Sequence, residues 1–128
     1  MKIEHIALYA DDPETLRDFY IRYFGAEVTD PPYRNPKSGL RTYFLRFDEG
    51  ARLELMCRPD TIRVDKSPLR TGYIHVAFAV GSEQRVDELT SRLVRDGFRL
   101  LSGPRRTGDG YYESVVLDPE ENIVEITA

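Results

Sequence analysis

The sequence predicts an α+β fold in which one βαβββ unit occurs twice in tandem. Three observations carry that expectation. Two apolar strand-like segments, near 2–10 and 73–80, each hold a histidine and each run into a helix start. Each helix is then ended by a glycine, Gly25 or Gly97, and each half closes on a strand holding a glutamate, Glu54 or Glu125. The histidines His5 and His75 lie 70 residues apart, the glutamates 71 and the glycines 72, and landmarks at a near-constant offset mark an internal duplication.

The elements follow in order. Asp11-Asp12-Pro13-Glu14 is a helix start, with an aspartate to cap the free N–H groups and a proline in the first turn. Leu16, Phe19, Tyr20, Tyr23 and Phe24 recur at helical spacing, so 13–24 is expected as an amphipathic helix ended by Gly25. A short strand near 26–30 leads into the proline-rich stretch PPYRNPKSG, expected as a loop. Strands near 40–47 and 51–57 follow, joined by the turn Asp48-Glu49-Gly50. In the second half, Gly81-Ser82-Glu83 opens a helix with Val86, Leu89, Leu93 and Val94 on one face. Strands near 98–102, 111–117 and 122–127 complete the set. The first module spans about 1–58, a linker 59–71, and the second module about 72–128, together one domain by size.

Composition narrows the functional classes. A hydrophobic fraction of 41% supports a real core, and 31% charged residues give a polar exterior. No apolar run approaches the ~18 residues needed to cross a bilayer, and the strand at the N-terminus leaves no room for a signal peptide, so no membrane association is expected. A single cysteine, Cys57, cannot form an internal disulfide and fits a reducing, cytoplasmic setting. A net charge of −4 with scattered basic residues argues against nucleic acid. Most of the basic residues are arginines, read here as surface ion pairs rather than substrate contacts.

The chemistry lies in the strand phases. Side chains alternate faces along a strand, so the apolar neighbours of each polar residue share one face and the polar residue takes the other. The neighbours are Ile6 and Leu8 around His5, Leu53 and Leu55 around Glu54, Ile74, Val76 and Phe78 around His75, and Val124 and Ile126 around Glu125. Two imidazoles and two carboxylates suit a divalent transition metal. Four such groups on inward phases would be costly unless paired or metal-bound. A metal centre at His5, Glu54, His75 and Glu125 is therefore the leading reading, and a metal-free His–Glu ion-pair network the alternative. Glu113 shares a strand phase that could face the same cleft, with solvent as the competing destination. Tyr33, Tyr43 and Tyr73 are pocket candidates with an ordinary core or rim role as the competing assignment. Arg105-Arg106 reads as a solvated hairpin turn before an anion site, and Cys57, on the phase opposite Glu54, as a small core residue.

Five segments in order resemble the vicinal oxygen chelate superfamily of glyoxalase, bleomycin-resistance and extradiol-dioxygenase proteins: HIALY at 5–9, LRDFYIRYFG at 16–25, LEL at 53–55, IHVAFAV at 74–80 and LDPEENIVEI at 117–126. The resemblance implies paired βαβββ modules curling into an open mixed-sheet barrel around a metal cleft. The His-Glu-His-Glu order is similar to that of glyoxalase I. It implies one divalent transition metal (nickel, cobalt, zinc or iron), a small oxo-substrate, lyase or isomerase chemistry through a metal-stabilised enediolate, Glu125 or Glu54 as proton-moving base, and a homodimer. Two departures put glutathione use in doubt: Tyr9 stands where glutathione-dependent bacterial relatives carry arginine, and Arg58 where an asparagine usually follows the first metal glutamate. The same scaffold also supports extradiol-type dioxygenases, epimerases and ligand-sequestering proteins of the bleomycin-resistance type.

Overall fold

The computed structural model describes residues 1–66 and 71–128, and part of the expected linker, residues 67–70, lies outside them. The chain divides into two compact units, Met1–Val64 and Asp65–Ala128. Two helices and two mixed sheets make two tandem βαβββ modules, as the duplication predicts.

In the first unit β1 (His5–Tyr9) leads into α1 (Pro13–Phe24), followed by β2 (Glu27–Val28), β3 (Tyr33–Arg34), β4 (Arg41–Arg46) and β5 (Arg52–Cys57). Asp12 caps α1 by accepting from the Thr15 N–H at 3.0 Å and the Thr15 hydroxyl at 2.7 Å. Gly25 takes the left-handed conformation (φ +67°) that ends the helix. The sheet runs β1-β5-β4-β2, with β1 and β5 parallel and the remaining pairs antiparallel. Leu16, Phe19, Tyr20 and Tyr23 of α1 are buried, as are Tyr43 and Leu45 of β4 and Leu53 and Leu55 of β5 on the sheet face they share.

In the second unit β6 (His75–Ala79) leads into α2 (Glu83–Arg95), followed by β7 (Leu100–Arg106), β8 (Tyr112–Leu117) and β9 (Ile123–Thr127). The order β6-β9-β8-β7 repeats the first plan, again with the outer pair β6 and β9 parallel. Ser82 caps α2 through the Arg85 N–H, and Phe98 N–H bonds back to the Leu93 carbonyl past Gly97 (φ +96°). Val86, Thr90 and Leu93 form the buried face of α2.

Four local expectations give way. Tyr33–Arg34 pairs with β4 as a strand inside the stretch expected as a loop, because Tyr33 and Arg34 find backbone partners opposite Thr42 and Arg41. Strand β7 runs on to Arg106 past Gly103-Pro104, which reads as a turn in sequence, because the ladder shifts register there as a bulge. Gly103 is required at that bulge: it sits at φ +81°, and a Cβ would lie 2.5 Å from the Glu113 carbonyl oxygen. Val94 is 45% exposed, and Thr90 takes the buried place on α2. Finally, Ile6 and Ile74 are also exposed, since β1 and β6 are edge strands and bury less than β5 and β9.

Candidate functional site

Register decides which side chains share a face. In the first unit His5 lies opposite Arg52, Ala7 opposite Glu54, and Phe44 opposite Glu54 from the other side. The sheet face away from α1 therefore carries His5, Arg52, Glu54 and Phe44. His5 Nε2 stands 3.7 Å from Glu54 Oε2. In the second unit His75 lies opposite Ile123, and Ala77 and Val115 flank Glu125. His75 Nε2 again stands 3.7 Å from Glu125 Oε2.

Each pair sits half in the open. Glu54 and Glu125 are 14% and 18% exposed, whereas His5 and His75 are 41% and 38% exposed. The imidazoles are more open than four inward-facing charges would require, because they stand on edge strands. At 3.7 Å neither histidine is hydrogen-bonded to its glutamate, so neither pair is a closed polar contact. Two donors at about 2.1 Å from one metal stand roughly 3.0–3.4 Å apart. A few tenths of an ångström of side-chain movement brings each pair to that spacing, so the donor set fits a metal. Among the described residues, no three His, Cys, Asp or Glu side chains gather to hold an ion. Each unit thus brings together one histidine and one glutamate.

The surroundings of the two pairs differ. Glu4 engages His5 Nδ1, and that contact, with Arg52 beside it, holds the Glu4 carboxyl below its usual range. Across the second unit, Glu113 lies on the Glu125 face, 12% exposed and paired with Arg105 at 3.1 Å. Arg105 and Arg106 belong to β7 rather than to a hairpin turn. Arg106 pairs with Glu83 and lies over the Tyr112 ring.

The other candidates lie on the helix side or in the open. Cys57 lies on the helix side, where Arg41 Nη2 reaches its Sγ at 3.7 Å. Tyr43 is also on that side: burial first, and then its hydrogen bond to Glu14 at 2.8 Å, pushes its hydroxyl above the usual tyrosine value. Tyr33 and Tyr73 are exposed, at 54% and 97%. Arg58 clasps Asp60 with two hydrogen bonds of 2.8 and 2.7 Å. Most arginines with a visible partner hold a carboxylate, as expected of surface ion pairs. No helix of the described residues is long and apolar enough to cross a membrane.

Glu4 and Arg52 are the residues that sequence reasoning missed. A carboxylate directly before a strand histidine was visible, but alternation assigns it to the opposite face. Glu4 precedes the first paired residue of β1 and escapes that rule.

Comparison with known proteins agrees with the fold. Residues 2–126 match the family described as Glyoxalase/Bleomycin resistance protein/Dioxygenase superfamily. The uncharacterised protein YqjT of Bacillus subtilis is 30% identical, with 98% of each chain covered. A glyoxalase family protein from Enterococcus faecalis superposes with a TM-score of 0.80 at 21% identity, covering 99% of this chain and 97% of that one. Lactoylglutathione lyase from Agrobacterium tumefaciens superposes with a TM-score of 0.69 at 26% identity, covering 98% of this chain and 91% of that one.

Proposed function

Because the chain belongs to the glyoxalase/bleomycin resistance protein/dioxygenase superfamily, we propose that it is a glyoxalase-like metalloenzyme acting as a lyase or isomerase on a small oxo-substrate. The observation that carries the reading is the repeated Nε2···Oε2 spacing of 3.7 Å in two separately built units. Two ligands do not make a site, and protein metal centres use three or four. The reading therefore requires a His5–Glu54 pair and a His75–Glu125 pair to complete one another, within one chain or across a homodimer. Either arrangement gives one divalent transition metal per chain: nickel, cobalt, zinc or iron.

A metal held there supplies Lewis-acid polarisation of substrate oxygens. The chain's own residues do the rest. Glu54 and Glu125 are the two candidate bases: one carboxylate takes the proton from the carbon beside the substrate carbonyl and returns it to the neighbouring carbon, so atoms balance without an oxidant. Tyr9 and Arg58 depart from the arginine and asparagine of glutathione-dependent relatives, so the reading does not include glutathione. The free, half-buried Cys57 accords with a cytoplasmic location.

Elemental analysis and calorimetric titration test the reading. Purified protein is expected to hold about one metal per chain, and Glu54→Gln and His75→Ala are each expected to lose it. A 2-oxoaldehyde screen with and without glutathione then reads the isomerisation. Protein that takes up none of the four metals, or variants that bind as the parent does, would leave the ion-pair network as the correct account.

A further inference from the structure

Glu4 has no part in the chemistry above, yet its carboxylate is the group bound to the ring of His5. It is tied down twice by one residue. The Glu4 carbonyl accepts from the Arg52 N–H at 3.0 Å, and the Glu4 Oε1 accepts from the Arg52 guanidinium. The other carboxylate oxygen, Oε2, meets His5 Nδ1. The Arg52 guanidinium also lies 4.4 Å above the centre of the Phe44 ring, and Phe44 meets the His5 ring edge-on at 5.5 Å and 88°. Glu4, Arg52 and Phe44 thus form a chain of three side chains that starts and ends on the His5 imidazole. The strand register produces it, since His5 of β1 lies opposite Arg52 of β5, and Phe44 of β4 lies opposite Glu54, the next residue on the same face of β5.

A carboxylate accepts hydrogen bonds and donates none. The nitrogen facing Glu4 must therefore carry the hydrogen, and in the neutral ring Nε2 is left with its lone pair. Nε2 is the atom turned toward Glu54. Among the described residues, the second unit lacks this arrangement. Ile74 precedes His75, Ile123 stands opposite it where Arg52 stands opposite His5, and Val115 takes the place of Phe44 beside the glutamate.

We propose that Glu4 is a positioning residue that fixes His5 in the Nδ1–H tautomer and aims its Nε2 at the Glu54 carboxylate, with Arg52 and Phe44 holding the carboxylate and the ring. The benefit to metal binding rests on the ligand reading above; the tautomer assignment does not. Among the described residues His75 has no such support, so the two histidines are differently held.

The chain has only two histidines, which makes nitrogen NMR of the imidazoles a direct test. In full-length, chelator-treated protein at mildly alkaline pH, His5 is expected to show protonated Nδ1 and bare Nε2. Glu4→Ala is expected to return His5 to a mixture of tautomers while His75 stays as it was. Glu4→Gln, whose side-chain carbonyl can still accept, is expected to restore most of the bias. Zinc affinity of Glu4→Ala is expected to fall about tenfold, the low end for loss of a ligand's supporting partner, because Glu4 is itself half-exposed. A His5 ring protonated at Nε2 in the parent, or unchanged in Glu4→Ala, overturns the proposal even if zinc binds normally. The expected tautomer response in a chain that binds no zinc upholds it and places the failure with the metal reading.

Discussion

The two units share a backbone plan and differ in what fills it. On the helix side, the first unit buries Tyr20 and Tyr43 where the second, at the corresponding positions, buries Thr90 and Ser114. The small pair is joined by a hydrogen bond of 2.6 Å, and Thr90 also bonds the Val86 carbonyl. On the opposite face, His5 is held by Glu4, Arg52 and Phe44, while His75 has aliphatic neighbours at the matching places. The same βαβββ frame thus accepts bulky rings or a satisfied polar pair in its core. It also accepts a braced or an unbraced histidine. What the two units keep in common is the 3.7 Å His–Glu spacing, which is independent of the packing behind it.

Three perturbations sharpen the contrast. Tyr20→Ala carries the largest expected effect, about 3–5 kcal/mol measured by urea unfolding, because it removes a wholly buried aromatic ring. A loss smaller than that of any change at Thr90 would show that the first unit does not depend on its rings. Thr90→Val comes next, at about 1–3 kcal/mol, since it leaves the buried Ser114 hydroxyl without this partner. The double variant Thr90→Val with Ser114→Ala is expected to recover most of that loss, as removal of both partners leaves nothing unsatisfied. A double variant no better than the single one would mean that the pair acts through something other than its hydrogen bond.

Acid provides the smallest and most selective contrast. The Thr15 N–H and hydroxyl hold the Asp12 carboxyl below the usual aspartate value. A depressed carboxyl stabilises the folded state above the unfolded-chain value, and that contribution fades as pH falls through the folded one. Capping by Asp12 is thus complete at neutral pH and weakens below about pH 4. Ser82, which caps α2, does not titrate. Amide exchange in the first turn of α1 is expected to quicken relative to that of α2 between about pH 5 and pH 3, by an amount set by a cap worth about 1 kcal/mol. Parallel behaviour of the two helices would remove Asp12 as the cause.

The parts of the molecule that were legible from residues alone are those set by local rules. Asp12-Pro13 and Gly25 mark the ends of α1 because capping and the left-handed turn involve neighbours along the chain. The alternation around Glu54 and Glu125 separates a core face from a polar face for the same reason. His5 and His75 share the face of Glu54 and Glu125, but their exposure depends on β1 and β6 being edge strands, which local spacing does not encode. Tyr33–Arg34 and the continuation of β7 past Pro104 escaped notice, because a strand exists only when another supplies its hydrogen bonds.

Sequence by itself determined the duplicated module, both helices with their caps, and the face on which each histidine and glutamate stands. All of these follow from steric preferences and periodicities that act over a few residues. Tertiary structure alone decided the 3.7 Å approach of each histidine to its glutamate, the bulge at Gly103, the buried Thr90–Ser114 bond and the chain of side chains that starts and ends on His5. The physical reason is register. Residues as far apart in the chain as Glu4 and Arg52 meet only after β1 and β5 have paired, and no rule of local spacing encodes which rung of one strand will face which rung of the other.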